Sequence, residues 1–419
     1  MALLINSGRF KDDFDTLAQI GSTGDGGVHR PALSEAHLEA RHWFLARAAE
    51  ASLETRVDGA GNHSAILRST SPNARTLLLG SHTDSVPNGG RFDGALGVVA
   101  TLEVLRTISD ARMELPVHLE AIDFTDEEGT LVGLLGSSAV AGKLSPSALQ
   151  NPRGGRAALE AGLARAGLTE AGLLSVRRDP ESFAGYLELH IEQGSRLSQA
   201  GIDIGVVSSI VGIRSFRLVY RGAANHAGTT PMDSRRDAAL GASAFVLAAR
   251  DLALTGFPGC TVNVGQMSFK PGAFNIIPAV AELALEFRAA DEERLVGLES
   301  ALLELAERAG RDYGLTLDAT RADTCAPAPM SRRAQEAIAL AAESLGLTCT
   351  TRASGAGHDA QSMAALTDAG MIFVSSRDGI SHSPREFSEW RDCVNGANVL
   401  LQTMLNLAGA NRIAHKRRP

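Results

Sequence analysis

Apolar and polar positions alternate along this chain in two rhythms, and the rhythms mark out helices and strands in turn. Over 35–52, Leu38, Phe44, Leu45, Ala48 and Ala49 share one face at helical spacing, broken only by Arg41. Ser34 stands ahead of them as an N-cap. Asp58-Gly59-Ala60-Gly61-Asn62 is a turn leading into a strand at 64–68. Leu77-Leu78-Leu79 reads as a short buried strand, 95–109 as a helix apolar on nearly every side, and 117–124 as another strand. That succession implies a parallel or mixed sheet with helices on its faces. Residues 144–183, richer in Ala, Gly, Arg and Ser, read as helical excursions and loops outside it. Leu187, Leu189 and Ile191 then alternate with Glu188, His190 and Glu192, giving a strand with one apolar and one polar face.

Near 205–215 the character changes. Residues 206–220 and 260–269 are β-rich, 231–254 is helical, and 280–288 alternates as a strand. A helix follows over 291–310, with Leu295, Leu298, Leu302 and Leu305 on one face. Strand–helix units in a row read as a separate α+β domain inserted into the first. Pro327 and Pro329 mark the return. Helix (331–344), strand (348–352), helix, strand (371–375) and a last helix (390–407) then complete the first sheet. The expected division is 1–212 plus 328–419 around an insertion at 213–327.

The composition narrows the field. At 44% hydrophobic and 21% charged, the 419 residues are those of a globular protein. A net charge of −8 with no basic stripe argues against nucleic acid, and the basic HKRRP at 415–419 reads as a solvated tail. Without a run of 18 apolar residues or a signal-peptide pattern, the expectation is a cytoplasmic enzyme with no membrane partner. Cys260, Cys325, Cys349 and Cys393 are scattered, so any metal must be held by His and carboxylate.

Candidate chemistry gathers at predicted strand ends. Gly80–Gly97, GSHTDSVPNGGRFDGALG, sets His82, Asp84 and Asp93 among glycines just past a strand, as a metal site at a sheet edge requires. Taken alone, these three serve equally well as turn and capping residues. The strand 117–124 runs into Asp126-Glu127-Glu128; a polar loop is the ordinary reading, and a metal ligand beside a proton-accepting base is the functional one. His190 shares a strand face with two glutamates and precedes Gln193-Gly194, which favours a ligand. His226 has no ligand spacing of its own, and Arg288 at a strand end is ordinarily a surface charge.

Seven segments in order, GSHTDSVPNGGRFDGALGV, DEEG, ELHIEQG, NHAGTTPM, NIIP, SGAGHDA and GISHSP, resemble the amidase/carbamoylase branch of the M20 di-metal hydrolases. That branch holds N-carbamoyl-L-amino-acid hydrolases, β-ureidopropionases and allantoate amidohydrolases. The resemblance implies an aminopeptidase-like α/β catalytic domain with a mixed sheet, and an inserted α+β lid that makes a homodimer. It implies one divalent ion on His82, Asp93 and His190 and a second on Asp93, Glu128 and His382, with Asp93 bridging. Imidazole and carboxylate donors suit Zn²⁺, with Mn²⁺, Co²⁺ or Ni²⁺ as substitutes. By the same resemblance Asp84 fixes the His82 tautomer, and Glu127 is the base that takes a proton from water and delivers it to the leaving nitrogen. His226 matches a donor to the tetrahedral oxyanion, reaching a partner subunit's site. Asn275 and Arg288 match residues that bind a substrate carboxylate, Gln193 one that contacts the carbamoyl group, and Gly355 and Gly357 a loop of backbone donors. Arg214 and Ser215 stand where the family shapes its pocket with a polar residue and a bulky aromatic; the small Ser215 departs from that, and Val132 replaces a more usual aromatic. The implied reaction is hydrolysis of a linear amide or ureido bond in a small carboxylate. N-carbamoyl-L-amino acids come first as substrates, then 3-ureidopropionate and allantoate, then simple N-acyl amino acids.

Overall fold

The computed structural model describes residues 2–409; the HKRRP tail lies outside the described residues. Its strands are β1 (Glu54–Val57), β2 (His63–Leu67), β3 (Thr76–His82), β4 (His118–Phe124), β5 (Phe183–Ile191), β6 (Ile204–Ile210), β7 (Gly212–Arg221), β8 (Thr261–Lys270), β9 (Val280–Ala289), β10 (Thr316–Cys325), β11 (Ala328–Pro329), β12 (Cys349–Ser354) and β13 (Ala369–Val374). The chain forms two compact units, residues 1–208 with 330–419, and 209–329. The division falls after 208 and after 329, a few residues from the 212 and 327 expected.

The first unit is built on a mixed sheet in the order β1-β2-β4-β3-β5-β13-β6, with β12 also on β6. Its centre, β4-β3-β5-β13, is parallel, and the flanking strands β2 and β6 run antiparallel to it. Leu77, Leu78 and Leu79 are fully buried, each contributing about 1.5–3 kcal/mol of burial free energy. The helix Ala95–Asp110 is buried from Ala95 through Ile108, which explains a sequence with no polar face. Trp390–Leu407 and the helix Ser7–Gln19 add to the same core. The latter was not anticipated; Asn6 caps it through the Arg9 amide, and Phe10, Phe14 and Leu17 are its buried stripe.

The second unit is a four-stranded antiparallel sheet, β10-β7-β9-β8. The helices Ala238–Gly256 and Glu292–Asp312 pack against its Phe216, Leu218, Tyr220, Leu283, Leu285 and Phe287. The first helix starts at Ala238 and not at 231, since Asp237 caps it and Pro231 lies in the preceding turn. Its length and hydropathy would suffice to cross a membrane, but Ala242, Phe245 and Ala249 spend one face on the sheet. The strand β10 escaped the pattern reading because an exposed edge offers almost no apolar alternation to detect.

Candidate metal centre

The parallel strands deliver their C-terminal ends to one edge, and the chemistry collects there. His82 is the last residue of β3, paired in register with Phe124, so Thr125–Glu128 continue directly beside it. His190 lies one residue from the end of β5, in register with Phe373 of β13. Gly94 brings the next ligand loop close: its φ is 62°, and a Cβ there would stand 2.4 Å from the His82 ring, so only glycine fits.

Two overlapping clusters result, His82–Asp93–His190 and Asp93–Glu128–His382, each with its ligand atoms within 4.8 Å of one another. Asp93 Oδ1 is 3.1 Å from His190 Nε2 and 3.6 Å from His82 Nε2, while Oδ2 is 3.4 Å from His382 Nε2. His382 Nε2 is also 3.4 Å from Glu128 Oε2. The histidines of the first cluster are already oriented: His82 Nδ1 donates to the Asp84 carbonyl at 3.0 Å and His190 Nδ1 to the Ile191 carbonyl at 2.9 Å. Both Nε2 atoms therefore face inward, toward Asp93. His82 Nε2 and Glu128 Oε1 are buried and have no hydrogen-bond partner. Inward-facing imidazoles, crowded carboxylates and orphaned buried atoms fit a pair of divalent cations. A third group, Glu188–His190–His358, is packing behind this centre, since Glu188 accepts from Ser81, Tyr186 and the Ala360 amide.

The electrostatics agree. Burial, and then the Glu128 carboxylate, push Glu127 well above the usual carboxylate range. Burial followed by Asp93 does the same to Glu128. Burial works to raise Asp93 too, but hydrogen bonds from His190 and His382 hold it well below that range. Burial pulls His82 down to about 4, which keeps its imidazole neutral and able to bind a cation.

Asp84 departs from expectation. Its backbone carbonyl orients His82; the carboxylate is 3.7 Å from the ring and instead accepts from the Glu127 and Glu128 amides, at 3.2 Å each. It therefore holds the backbone of the two glutamates. Asp126 (φ 57°) works beside it, accepting from the amides of Leu131, Val132 and Gly133. Gln193 (φ 54°) points its Nε2 to Asp93 Oδ2 at 2.7 Å, which puts its amide at the ligand cluster. Gly355 and Gly357 lie in the loop between β12 and the helix Asp359–Met363.

In the second unit the NHAGTTPM and NIIP segments meet: His226 bridges to Ile276, and the Ala227 amide donates to the Asn275 carbonyl at 3.0 Å. His226 Nδ1 accepts from the Gly228 and Thr229 amides at 3.0 and 3.1 Å, so a neutral ring carries its proton on Nε2. Ser215 and Arg288 share the open face of the sheet, where Arg288 donates to Glu286 at 2.7 Å. Ser215 lines a trough there of about 460 Å³ with Arg217, Gln266 and Glu282. Arg214 belongs to the other face: its parity on β7 turns it under the helix Glu292–Asp312, onto Glu292 and, at 2.6 Å, Glu299. A guanidinium committed to two carboxylates is structural, so the expected substrate contact from Arg214 is not found.

Pattern reading missed Arg41, Asp123, Ser381 and Glu386. Arg41, the charge that breaks an apolar face, is fully buried. It lies 3.3 Å from Asp123 Oδ2 and donates to Thr125 Oγ1 and to the Gly61 and Phe124 carbonyls. Asp123 in turn accepts from the Thr83 amide and hydroxyl, between His82 and Asp84. A lone Arg on an apolar helix face was the available signal.

A mixed-sheet α/β hydrolase with a two-cation ligand set at its strand ends is what the fold and the site define. The sequence signature of peptidase family M20/M25/M40 matches residues 78–406, and the chain belongs to that family. It is 37% identical over 395 residues to the N-carbamoyl-L-amino acid amidohydrolase of Geobacillus stearothermophilus, covering 94% of this chain and 96% of that one. It is 31% identical to the allantoate amidohydrolase of Bacillus subtilis, over 95% and 97% of the two chains. The crystal structure of a hydantoinase/carbamoylase family amidase from Burkholderia multivorans superposes with a TM-score of 0.88 at 33% identity, covering 97% of this chain and 98% of that one. The chain is thus an amidohydrolase, an enzyme that hydrolyses a carbon–nitrogen bond.

Proposed function

We propose that the substrate is an N-carbamoyl-L-amino acid, hydrolysed with one water to the amino acid, CO₂ and ammonia. The observation that carries this reading is the pair of clusters sharing Asp93, with Glu127 Oε2 3.5 Å from His82 Nε2. It is supported by the likeness over nearly the whole chain to an enzyme of that name. His82, Asp93, His190, Glu128 and His382 would hold two divalent ions, Zn²⁺ by donor type. Such ions supply Lewis acidity that polarises a carbonyl and acidifies water. Glu127 takes the proton from the attacking water and passes it to the departing nitrogen. His226 offers its Nε2–H to the oxyanion, an assignment consistent with the two amides on Nδ1. Arg288, with its planar fork, and Asn275 hold the substrate carboxylate, and Gln193 and the Gly355–Gly357 loop the carbamoyl group.

The enzyme works in the cytoplasm as a homodimer joined through the inserted unit. Leu247 and Leu254, 68% and 60% exposed on the outer face of the helix Ala238–Gly256, support that contact. Mixing a Glu127-dead with a His226-dead chain then restores activity in hybrid dimers; no recovery despite subunit exchange refutes a shared site.

The substrate test is ammonia release by metal-reconstituted enzyme. The panel comprises N-carbamoyl-L-amino acids, 3-ureidopropionate, allantoate and matched N-acetyl and N-formyl amino acids, each with and without chelator. Chelator-sensitive ammonia from N-carbamoyl-L-amino acids is expected. Turnover of allantoate alone, the substrate named for the Bacillus relative, or of the acyl compounds alone, overturns the assignment.

A further inference from the structure

Glu386 is 3% exposed and reaches back almost three hundred residues to the loop that carries Asp93. Its Oε1 accepts from the Phe92 amide at 2.9 Å and the Asp93 amide at 3.0 Å. Its Oε2 accepts from Ser381 Oγ at 2.8 Å, and the same hydroxyl lies 3.1 Å from Asp93 Oδ2. Room for the carboxylate is made by Gly90, where a Cβ would stand 2.0 Å from Glu386 Cδ and Oε1. Around it Phe92 packs on Phe14 and Phe387, with ring centroids 4.8 and 5.6 Å apart. One side chain thus ties the Gly90–Gly94 loop to the segment that carries His382, so that donors to both ion positions are held from a single point.

We infer that Glu386 is a positioning residue for Asp93, fixing the backbone of the shared ligand directly and seating Ser381 beside its outer oxygen. A carboxylate shared by two ions must aim both oxygens at once, and a swing about its own Cα–Cβ bond loses one of them. Two amide bonds to Oε1 hold that Cα, and the Ser381 hydroxyl, with one proton for Glu386 Oε2 or Asp93 Oδ2, is seated between the two carboxylates. The inference rests on the reading of Asp93 as a bridging ligand.

The test is Zn²⁺ affinity, measured by competition with a chromophoric chelator on the full chain, with the unfolding midpoint of the metal-free protein alongside. Glu386→Ala is expected to weaken Zn²⁺ binding about 10- to 100-fold. Glu386→Gln keeps an oxygen for the two amides and an NH₂ for Ser381 Oγ, and is expected to stay within about threefold of wild type. An Ala variant that lowers only the unfolding midpoint, with unchanged affinity, overturns the inference in favour of a purely structural role. Equal weakening in the Ala and Gln variants overturns the clamp, because the carboxylate then acts through its charge. Should Glu386→Ala fail to fold, Ser381→Ala carries the test, with a severalfold loss expected and none refuting it. A wild-type chain that binds no Zn²⁺ or Mn²⁺ refutes the metal-centre reading and is distinguished from these outcomes by that control.

Discussion

Replacing Glu127 by glutamine separates holding the site together from moving a proton. The loop around it is set by backbone bonds that the substitution leaves alone: the Asp84 carboxylate on the Glu127 and Glu128 amides, and Asp126 on those of Leu131 to Gly133. The side chain itself only approaches His82, at 3.5 Å, and glutamine has the same shape. Ligand geometry and substrate binding should therefore survive, and the whole loss should fall on kcat. A positioned general base contributes about 10²–10⁴ in rate, or roughly 3–5 kcal/mol of barrier. Stability should move the other way in the metal-free protein. Glu127 is buried with Glu128, Asp359, Asp93 and Asp84 acting on it, and removing one carboxyl relieves that crowding. Steady-state kinetics on the best ureido substrate, metal content and unfolding of the metal-free chain together make the assay. A variant with at least a tenth of wild-type kcat at full metal content refutes Glu127 as the base. A kcat loss that tracks lost metal shows instead that Glu127 helps to hold the ions.

Arg288→Ala is expected to raise KM for carboxylate-bearing substrates at least tenfold with a smaller effect on kcat; unchanged KM across the series refutes the clamp. Arg41→Met should cost the metal-free protein about 3–5 kcal/mol in urea unfolding, since it strands Asp123 as a buried charge without its partner, and a loss below 1 kcal/mol would show that the pair is not coupled. Burial, and then Arg41, hold His63 at about 3 against an ordinary 6.5. The folded ring refuses the proton that the unfolded one accepts, so its contribution is full above about pH 6.5 and is lost as pH falls toward 3, at up to about 1.4 kcal/mol per pH unit. Urea midpoints at pH 7 and pH 5 should fall less in His63→Gln than in wild type; equal falls refute the assignment.

The candidate donors stood out locally, as glycines around His82 and Asp93, paired glutamates after an apolar strand, and His190 on an alternating one, but only the seven family segments taken in order joined them, with His382, into a proposed ligand set. Each needs only its own strand to end in the right place, and parallel strands bring their ends together without further instruction. The buried helix 95–109 was legible for a similar reason, as an apolar run long enough to have no wet face. Arg214 shows where this local reading stops. On β7 its neighbour Ser215 faces the open trough, and a shift of one residue in parity carries Arg214 to the covered face and onto Glu299.

Most of the order of strands and helices, short of the helix Ser7–Gln19 and the edge strand β10, was determined along the chain itself by periodicity, and the candidate donors and the kind of cation they suit by side-chain chemistry read together with the family's segments. Tertiary structure alone decided which atom of Asp84 orients His82, that Arg41 and Asp123 brace the loop between them, and that Glu386 meets the amide of Asp93. The physical reason is distance in sequence. The Arg41 and Glu386 contacts join residues 82 and 293 positions apart, and the Asp84 carboxylate, two residues from His82, is drawn off by amides 43 and 44 positions further on; a buried charge or amide takes whichever partner the packed core brings within about 3.3 Å. Nothing in a local pattern names that partner.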